Sequence, residues 1–549
     1  MAMADTKTSL VEFGNKLVVE IAGAIESGDL ERAQELANQG ISRGLRHPSF
    51  FNARGLWMQE TGRYQHALED FQRALSLQPG DVAILNAIGL SLLKLEKVPD
   101  AIKAFDAAIA ADTNNAQSHH RKGLALATSG NHEAALAAYE RAIELDPHHV
   151  EAIASVASIA ARKSEPEKAR MLAKRALELN PNQPTALLAE AIVDQGEKRY
   201  VEAEHRLKRI LNEGFLYAEA RSAVLGLLGD AYDGQKRYAE AFATYTAENE
   251  ELRKEHGQRF ARGRGADAAS NLVAYFETTP PEIWKATDDG GSFPNEPDHH
   301  IFLLGFMRSG TTLLEQVLAS NPQIVALEEK GLLHGLGDVY MTSTIGLDSL
   351  AALQGGELER NRMQYWQRVR NHGLDVKGKI FVDKQPLDTI KLPLIAKFFP
   401  KAKIIFALRD PRDVVFSCFR RHFRINVTMF EFLGLEDAAR FYASIMQLAD
   451  IYRKKLPLNI LDHRYEDMVT DFDGRIQAVC NFIGAEWAED MRNFSKNAPS
   501  VDIRSPSATQ VRKPLYDEAV AQWRRYAKEL EPIMPILKPW VEKFGYPAE

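Results

Sequence analysis

Apolar positions follow two different rules along this chain. In the first half, small and aromatic residues recur at a fixed step of 34. Gly55, Gly89, Gly123, Ala157 and Ala191 share one offset, Ala67, Ala101, Ala135, Ala169 and Ala203 a second, and Phe71, Phe105, Tyr139, Ala173 and Leu207 a third. Pro79, Pro147 and Pro181 close three of the units, with Thr113 at the matching place in another. The step decays at the ends: Ile21 holds the glycine place before Ala33, and Gly229, Ala241 and Tyr245 follow after 38 residues. The pattern predicts seven two-helix units over residues 1–250. Small residues let paired helices approach, the aromatic fills the gap beside them, and proline stops the second helix. Glu248 to His256 reads as a charged helix end, Gly257, Gly263 and Gly265 as a break, and 266–276 as a short helix. Turn-rich stretches complete a connector over 251–297. Beyond it, the apolar runs Ile301–Leu304, Lys379–Val382, Lys403–Leu408 and Asn459–Asp462 alternate with helical patterns. That predicts one α/β domain over 298–549, with a mainly parallel sheet covered by helices.

A chain of 549 residues suits two or three domains, and 45% apolar with 26% charged residues is ordinary for a soluble protein. A net charge of −7 does not favour a nucleic-acid partner. Cys418 and Cys480 allow one pair only, which suits a reducing compartment. No signal-peptide core and no membrane-spanning run is expected, so the simplest location is cytoplasmic. The 34-residue period resembles the tetratricopeptide repeat (TPR), hence an all-α solenoid. That resemblance implies a concave groove for a protein or peptide segment. Members that clamp a C-terminal carboxylate carry Asn after the glycine; Leu56, Leu90 and Leu124 stand there, so that clamp is not supported. The pairs His119-His120 and His148-His149 are read as surface histidines, because neighbours on a helix point about 100° apart and ligate one metal poorly.

Gly305-Phe-Met-Arg308-Ser309-Gly310-Thr311-Thr312 joins an apolar run to a helix predicted over Thr311 to Ala319. A strand, a glycine turn and a helix N-terminus aim several backbone N–H groups at one phosphate. The spacing nearly matches a nucleotide-triphosphate P-loop, but Thr311 replaces its lysine and Arg308 is the loop's only cation. An ATP-dependent kinase is thereby disfavoured, and a different activated phosphate is expected. At Arg409-Asp-Pro-Arg-Asp-Val-Val-Phe-Ser417, proline at a helix start marks a second strand-to-helix junction. Arg409 and Ser417 can face one anion there. Two such junctions on one sheet imply a ligand with two separated phosphate-type groups.

These motifs resemble the sulfotransferase family, which uses 3′-phosphoadenosine 5′-phosphosulfate (PAPS), and within it the protein-tyrosine sulfotransferase group. The likeness rests on Arg308 to Leu313, Glu328-Glu329, Lys384, the R-x7-S-x3-R pattern of Arg409, Ser417 and Arg421, Tyr465-Glu466, Phe482-Ile-Gly484 and Gln510-Val-Arg-Lys-Pro514. It covers roughly 298 to 526, and a fusion of this kind is similar to the TPR-sulfotransferases of bacteria. One departure is Gln522, where the group has a lysine before the tryptophan, here Trp523. The resemblance implies that Arg308, Ser309, Gly310, Thr311 and Thr312 hold the 5′ end of PAPS and Arg409, Ser417 and Arg421 its 3′-phosphate, with Tyr465 near the nucleotide. It further implies Arg308, Lys384 and Ser507 on the leaving group, Glu329 as base toward an acceptor hydroxyl, and no metal. Glu328 is the alternative base, one register step away, and His334 keeps open the histidine used elsewhere in the superfamily. A scaffold that only senses nucleotide is the competing reading, and the acceptor stays open.

Overall fold

Fourteen helices form seven antiparallel pairs, as the 34-residue step predicts. They are α1 (Ala2–Glu26), α2 (Leu30–Ser42), α3 (Pro48–Glu60), α4 (Tyr64–Leu77), α5 (Val82–Lys94), α6 (Val98–Ala111), α7 (Ala116–Thr128), α8 (His132–Leu145), α9 (Val150–Arg162), α10 (Pro166–Leu179), α11 (Pro184–Gly196), α12 (Tyr200–Asn212), α13 (Ala218–Gly234) and α14 (Tyr238–His256). The computed structural model describes residues 2–212, 218–260, 265–285, 296–494 and 519–548. The chain divides into two compact units, Met1–Gly214 and Phe215–Glu549. Six pairs make up the first unit. The seventh, α13–α14, belongs to the second, so the division falls earlier than residue 250.

Steric fit explains the repeat. A Cβ built on Gly55, Gly89, Gly123 or Gly229 would lie 2.6, 2.4, 2.4 and 2.4 Å from the ring of Phe71, Phe105, Tyr139 and Tyr245 respectively. Where alanine takes the glycine place, the ring is gone: Ala157 goes with Ala173, and Ala191 with Leu207. Asp81, Asn115, Asn131, His149 and Gln183 cap the following helices by accepting a backbone N–H.

The histidine pairs need correction. His120 and His149 are buried, with ring centroids 5.1 Å apart, and burial pushes the His120 imidazole down to about 3. His148 is exposed and His119 only partly covered. On α7 the 100° between neighbours turns His120 inward and His119 outward, whereas His148 and His149 lie in the turn before α9, where His149 caps the helix.

In the second unit the helices continue as α15 (Gly265–Thr278), α16 (Thr311–Ala319), α17 (Leu336–Tyr340), α18 (Thr344–Ala352), α19 (Gly355–Asn371), α20 (Leu392–Phe398), α21 (Pro411–Phe419) and α22 (Leu435–Lys455), and α15 packs on α22 with Phe276 edge-on to Tyr452 at 4.8 Å. The described part of the expected connector is thus built into this unit. Among the described residues its sheet has five strands, all parallel, in the order β2-β3-β1-β4-β5: β1 (His299–Gly305), β2 (Ile324–Glu328), β3 (Ile380–Lys384), β4 (Lys403–Leu408) and β5 (Asn459–Arg464). Four match predicted runs; β2 was not foreseen. Ile301 and Leu303 join one core with α16 (Thr311–Ala319), α23 (Tyr465–Thr470) and α24 (Phe472–Ile483). Phe302 turns to the other face, against Tyr365 and Phe399. Both faces are covered, which suits near-continuous apolar strands. After β1 the chain runs to the edge at β2, returns to β3 beside β1 and then crosses to β4 on the other side, so the order switches around β1. Ligand clefts form at the carboxyl ends of strands at such a switch.

Gly89→Ala should destabilise the array by about 1–3 kcal/mol through overpacking, despite alanine's better helix propensity. Adding Phe105→Leu, which copies the Ala191/Leu207 solution, should recover most of the loss. Urea unfolding of the three proteins decides this: a Gly89→Ala midpoint at or above wild type would refute the packing rule.

Candidate active site

The loop after β1 is shaped by two glycines that nothing else can replace. Gly305 has φ +146° and passes so close to β4 that a Cβ would lie 2.5 Å from the Ala407 carbonyl oxygen. Gly310, at φ +88°, is the N-cap of α16, and a Cβ there would strike Tyr465 at 2.6 Å. Between them Arg308 takes a left-handed conformation at φ +67°. Thr389 fastens the loop base, donating to the Gly305 carbonyl at 2.7 Å and accepting its N–H at 3.1 Å. Ser309, Thr311 and Thr312 are buried at the loop and the first turn of α16. The first-turn N–H groups of a helix lack helical acceptors and so suit an anion.

The second junction meets the first. α21 (Pro411–Phe419) starts after β4, capped by Asp410. Arg308 Nε donates to Ser417 Oγ on this helix at 3.1 Å, and Arg409 Nη1 donates to the Arg308 carbonyl at 3.2 Å. The Arg409 guanidinium also lies 5.1 Å above the Tyr465 ring. The structure therefore brings Arg308, Gly310, Arg409, Ser417 and Tyr465 together. Arg420 and Arg421 follow α21 directly. Burial, then the charges of Arg421, Arg409 and Arg420, push the Arg308 guanidinium down to about 9. The Nε atoms of Arg409, Arg420 and Arg421 are buried without a hydrogen-bond partner. A group of cations that repel one another and keep buried donors unsatisfied is chemically fitted to a polyanion.

Lys384 sits differently from the expectation. At the end of β3 its buried Nζ lies 3.3 Å from Glu315, 3.0 Å from Glu328 and 2.8 Å from Glu329. Its charge is held by three carboxylates rather than presented to the loop. Burial opposes that charge, yet the three carboxylates together raise the ammonium's pKa. Glu315, on the inward face of α16, is pushed up to about 7 by burial, with Glu328 and Glu329 adding to it against Lys384. Glu328 is the last residue of β2, in register with Lys384 of β3, and Glu329 follows it directly. Glu329 is left-handed, at φ +46°, with its N–H donated to the Lys384 carbonyl at 2.9 Å. Its side chain is 37% exposed against 17% for Glu328, so it is the more accessible of the two. His334 is exposed on the following turn, and its charge acts on Asp388.

Arg421 Nη1 pairs with Asp230 of α13 at 3.3 Å. Ser507 and the Gln510–Pro514 motif lie outside the described residues. Sequence reasoning missed Glu315, Arg420 and Asp230. A carboxylate on the apolar stripe of Leu314, Val317 and Leu318 was a usable signal for Glu315. Nothing local in the sequence joins Asp230 to Arg421.

The model of the "Sulfotransferase family" matches residues 300–489, and tetratricopeptide-repeat models match 58–116 and 116–149. A protein of Aquifex aeolicus named only "Uncharacterized protein" is 26% identical over 354 residues, 62% of this chain and 44% of that one. The chain thus spans less than half the length of that relative. Protein-tyrosine sulfotransferase 1 of Danio rerio is 24% identical over 266 residues, 45% of this chain and 72% of that enzyme. Among solved structures, a tetratricopeptide repeat protein from Parabacteroides merdae overlays with a TM-score of 0.36 at 14% identity, covering 44% of this chain and 93% of that chain.

The pH dependence of stability reports on Glu315. Its folded pKa stands above the unfolded value, so its contribution is fully present below about 4.5 and is lost as pH rises through about 7. Glu315→Gln should gain on wild type across that window, by up to roughly 3 kcal/mol. Unfolding free energies at pH 5 and pH 7.5 test this; a constant difference would show that Glu315 ionises as an ordinary carboxylate.

Proposed function

Because residues 300–489 form a sulfotransferase-family domain, we propose that the protein transfers a sulfuryl group from PAPS to an acceptor hydroxyl, with a protein tyrosine the first acceptor to test. One observation carries the reading: Arg308 and Arg409, at two strand-to-helix junctions, share one field with Arg420 and Arg421 at the far end of α21, and Lys384 holds a separate cluster of carboxylates. The donor would be held by Arg308 and the loop 309–312 at its 5′ end, and by Arg409, Ser417 and Arg421 at its 3′-phosphate. The unsatisfied Nε atoms of Arg409 and Arg421 fit that assignment. When bound, PAPS supplies an activated sulfuryl group on a phosphate leaving group.

The chain's own residues then have separate tasks. Arg308 and the first-turn N–H groups of α16 stabilise charge that grows on the leaving phosphate, where one preorganised donor is typically worth ~10²–10³ in rate. Glu329 takes the proton from the acceptor hydroxyl, a contribution of roughly 10²–10⁴. Lys384 orients Glu329 through its 2.8 Å contact and offsets the neighbouring carboxylates. This makes it a positioning residue, with its expected place on the leaving group and that of Ser507 still to be tested. No helix among the described residues is long and apolar enough to cross a membrane, and both cysteines are free and buried. These features support a cytoplasmic reaction, with the repeat array recruiting the acceptor or a partner protein.

The experiment is transfer of ³⁵S from PAPS to peptides and to a lysate, with adenosine 3′,5′-bisphosphate binding measured in parallel. Glu329→Gln should lose ~10²-fold or more in transfer and keep its affinity for the bisphosphate. Full activity in that variant would remove Glu329 as the base, and no transfer by wild type to any acceptor would remove the enzymatic reading.

A further inference from the structure

Two arginines of the anion site meet carboxylates of the repeat-like helix α13. Asp230 and Asp233 project from α13, one turn apart. Asp230 accepts the Tyr245 hydroxyl at 2.8 Å on one carboxylate oxygen and faces Arg421 Nη1 at 3.3 Å with the other. Asp233 accepts the Tyr526 hydroxyl and lies 4.0 Å from Arg420 Nη1. Arg420 is buried, donates to the Gln522 side-chain oxygen and packs 5.2 Å from the Phe416 ring. Around this contact α14 is fastened to the end of α21: Asn249 donates to the Phe419 carbonyl at 2.8 Å, Phe242 stacks on Phe419, and Glu248 meets His422 at 2.8 Å. Gly226 makes room for Glu248, whose carboxylate lies 2.7 Å from where a Cβ would stand.

We propose that α13–α14 forms a wall of the anion site, with Asp230 and Asp233 as counter-ions that hold Arg421 and Arg420 in the free protein and weaken its grip on the donor. The inference rests on the donor reading above and adds Arg420, which no sequence motif had singled out, to the groups that face the anion. The argument is one of charge. Arg420 and Arg421 both depress the Arg308 guanidinium, so the three share one field. Burial opposes the charge on Arg420, and Tyr245, Asp230, Asp233 and Tyr526 outweigh it, which keeps Arg420 a cation. The same carboxylates subtract from the positive potential that a phosphate would meet. An arrangement that stabilises buried cations without ligand must oppose an anion that arrives there. Donor affinity is thereby set from the seventh helical pair.

Calorimetric titration of the full chain with adenosine 3′,5′-bisphosphate tests this in wild type, Asp230→Asn, Asp233→Asn and, as a control, Glu240→Gln. Asparagine keeps an oxygen for the tyrosine hydroxyl and the guanidinium while removing the charge. Both Asp variants should bind roughly 3- to 30-fold tighter at low salt, with the gain shrinking as salt screens it. Without ligand they should unfold at lower temperature than wild type. Glu240, paired on the surface with Arg237, should change neither. A purely structural role predicts the opposite sign, so weaker or unchanged binding in both Asp variants overturns the proposal. Titration with inorganic pyrophosphate separates the two readings. Tighter pyrophosphate binding in the Asp variants, with no bisphosphate binding by any protein, sinks the donor reading and keeps the counter-ions. Wild-type bisphosphate binding that neither substitution changes does the reverse.

Discussion

Like-charge repulsion among buried guanidiniums is the constraint around which the second unit is arranged. Arg308 and Arg409 occupy two strand-to-helix junctions, Arg420 and Arg421 follow the far end of α21, and the other three depress the ionisation of Arg308. Such a cluster survives in a folded protein only if backbone carbonyls, rings and carboxylates surround it. The structure supplies all three: the Arg308 and Ala519 carbonyls on Arg409, the Tyr465 ring beside it, and Asp230 and Asp233 on its far side. Since the acids come from α13, the helical pair carrying them has to be part of this unit. The division at residue 214 is the geometric expression of that requirement.

A second charged group answers the first at the neighbouring strand ends. Lys384 with Glu315, Glu328 and Glu329 carries more carboxylates than cations, and its members come from the ends of β2 and β3 and from α16. A parallel sheet whose order switches around β1 places both groups at its carboxyl edge. One side is suited to hold an anion and the other to accept a proton. The backbone of Glu329 adopts a left-handed turn that costs a non-glycine residue energy, and its neighbours Lys384 and β3 hold it there.

The periodic parts of this architecture were legible because they are local. A glycine and an aromatic sixteen residues apart meet across one helical pair, so the 34-residue step alone predicts seven pairs. The loop from Gly305 to Thr312 was equally readable, since its glycines answer to contacts with β4 and Tyr465 that any such loop must make. β2 escaped because Ile324–Glu328 is a half-buried edge strand of five residues, too short to alternate clearly. The carboxylate setting of Lys384 is not legible in the sequence because Glu315, Glu328 and Glu329 come from α16, the end of β2 and the residue after it, separated from Lys384 in the chain. The buried histidines escape a reading by residue type because phase along α7 decides for His120 and the cap of α9 decides for His149.

The small-and-ring pairing in the helices also limits how units can be exchanged. Six of the pairs solve the same gap with their own volume: glycine under Phe or Tyr, or alanine under alanine or leucine. A helix carrying alanine, transplanted beside a helix carrying Phe105, would collide, while a glycine helix set beside Ala173 would leave a void. Recombination within this array is therefore tolerated at the turns between pairs and penalised inside them, so that the inheritable module is the hairpin and never the single helix.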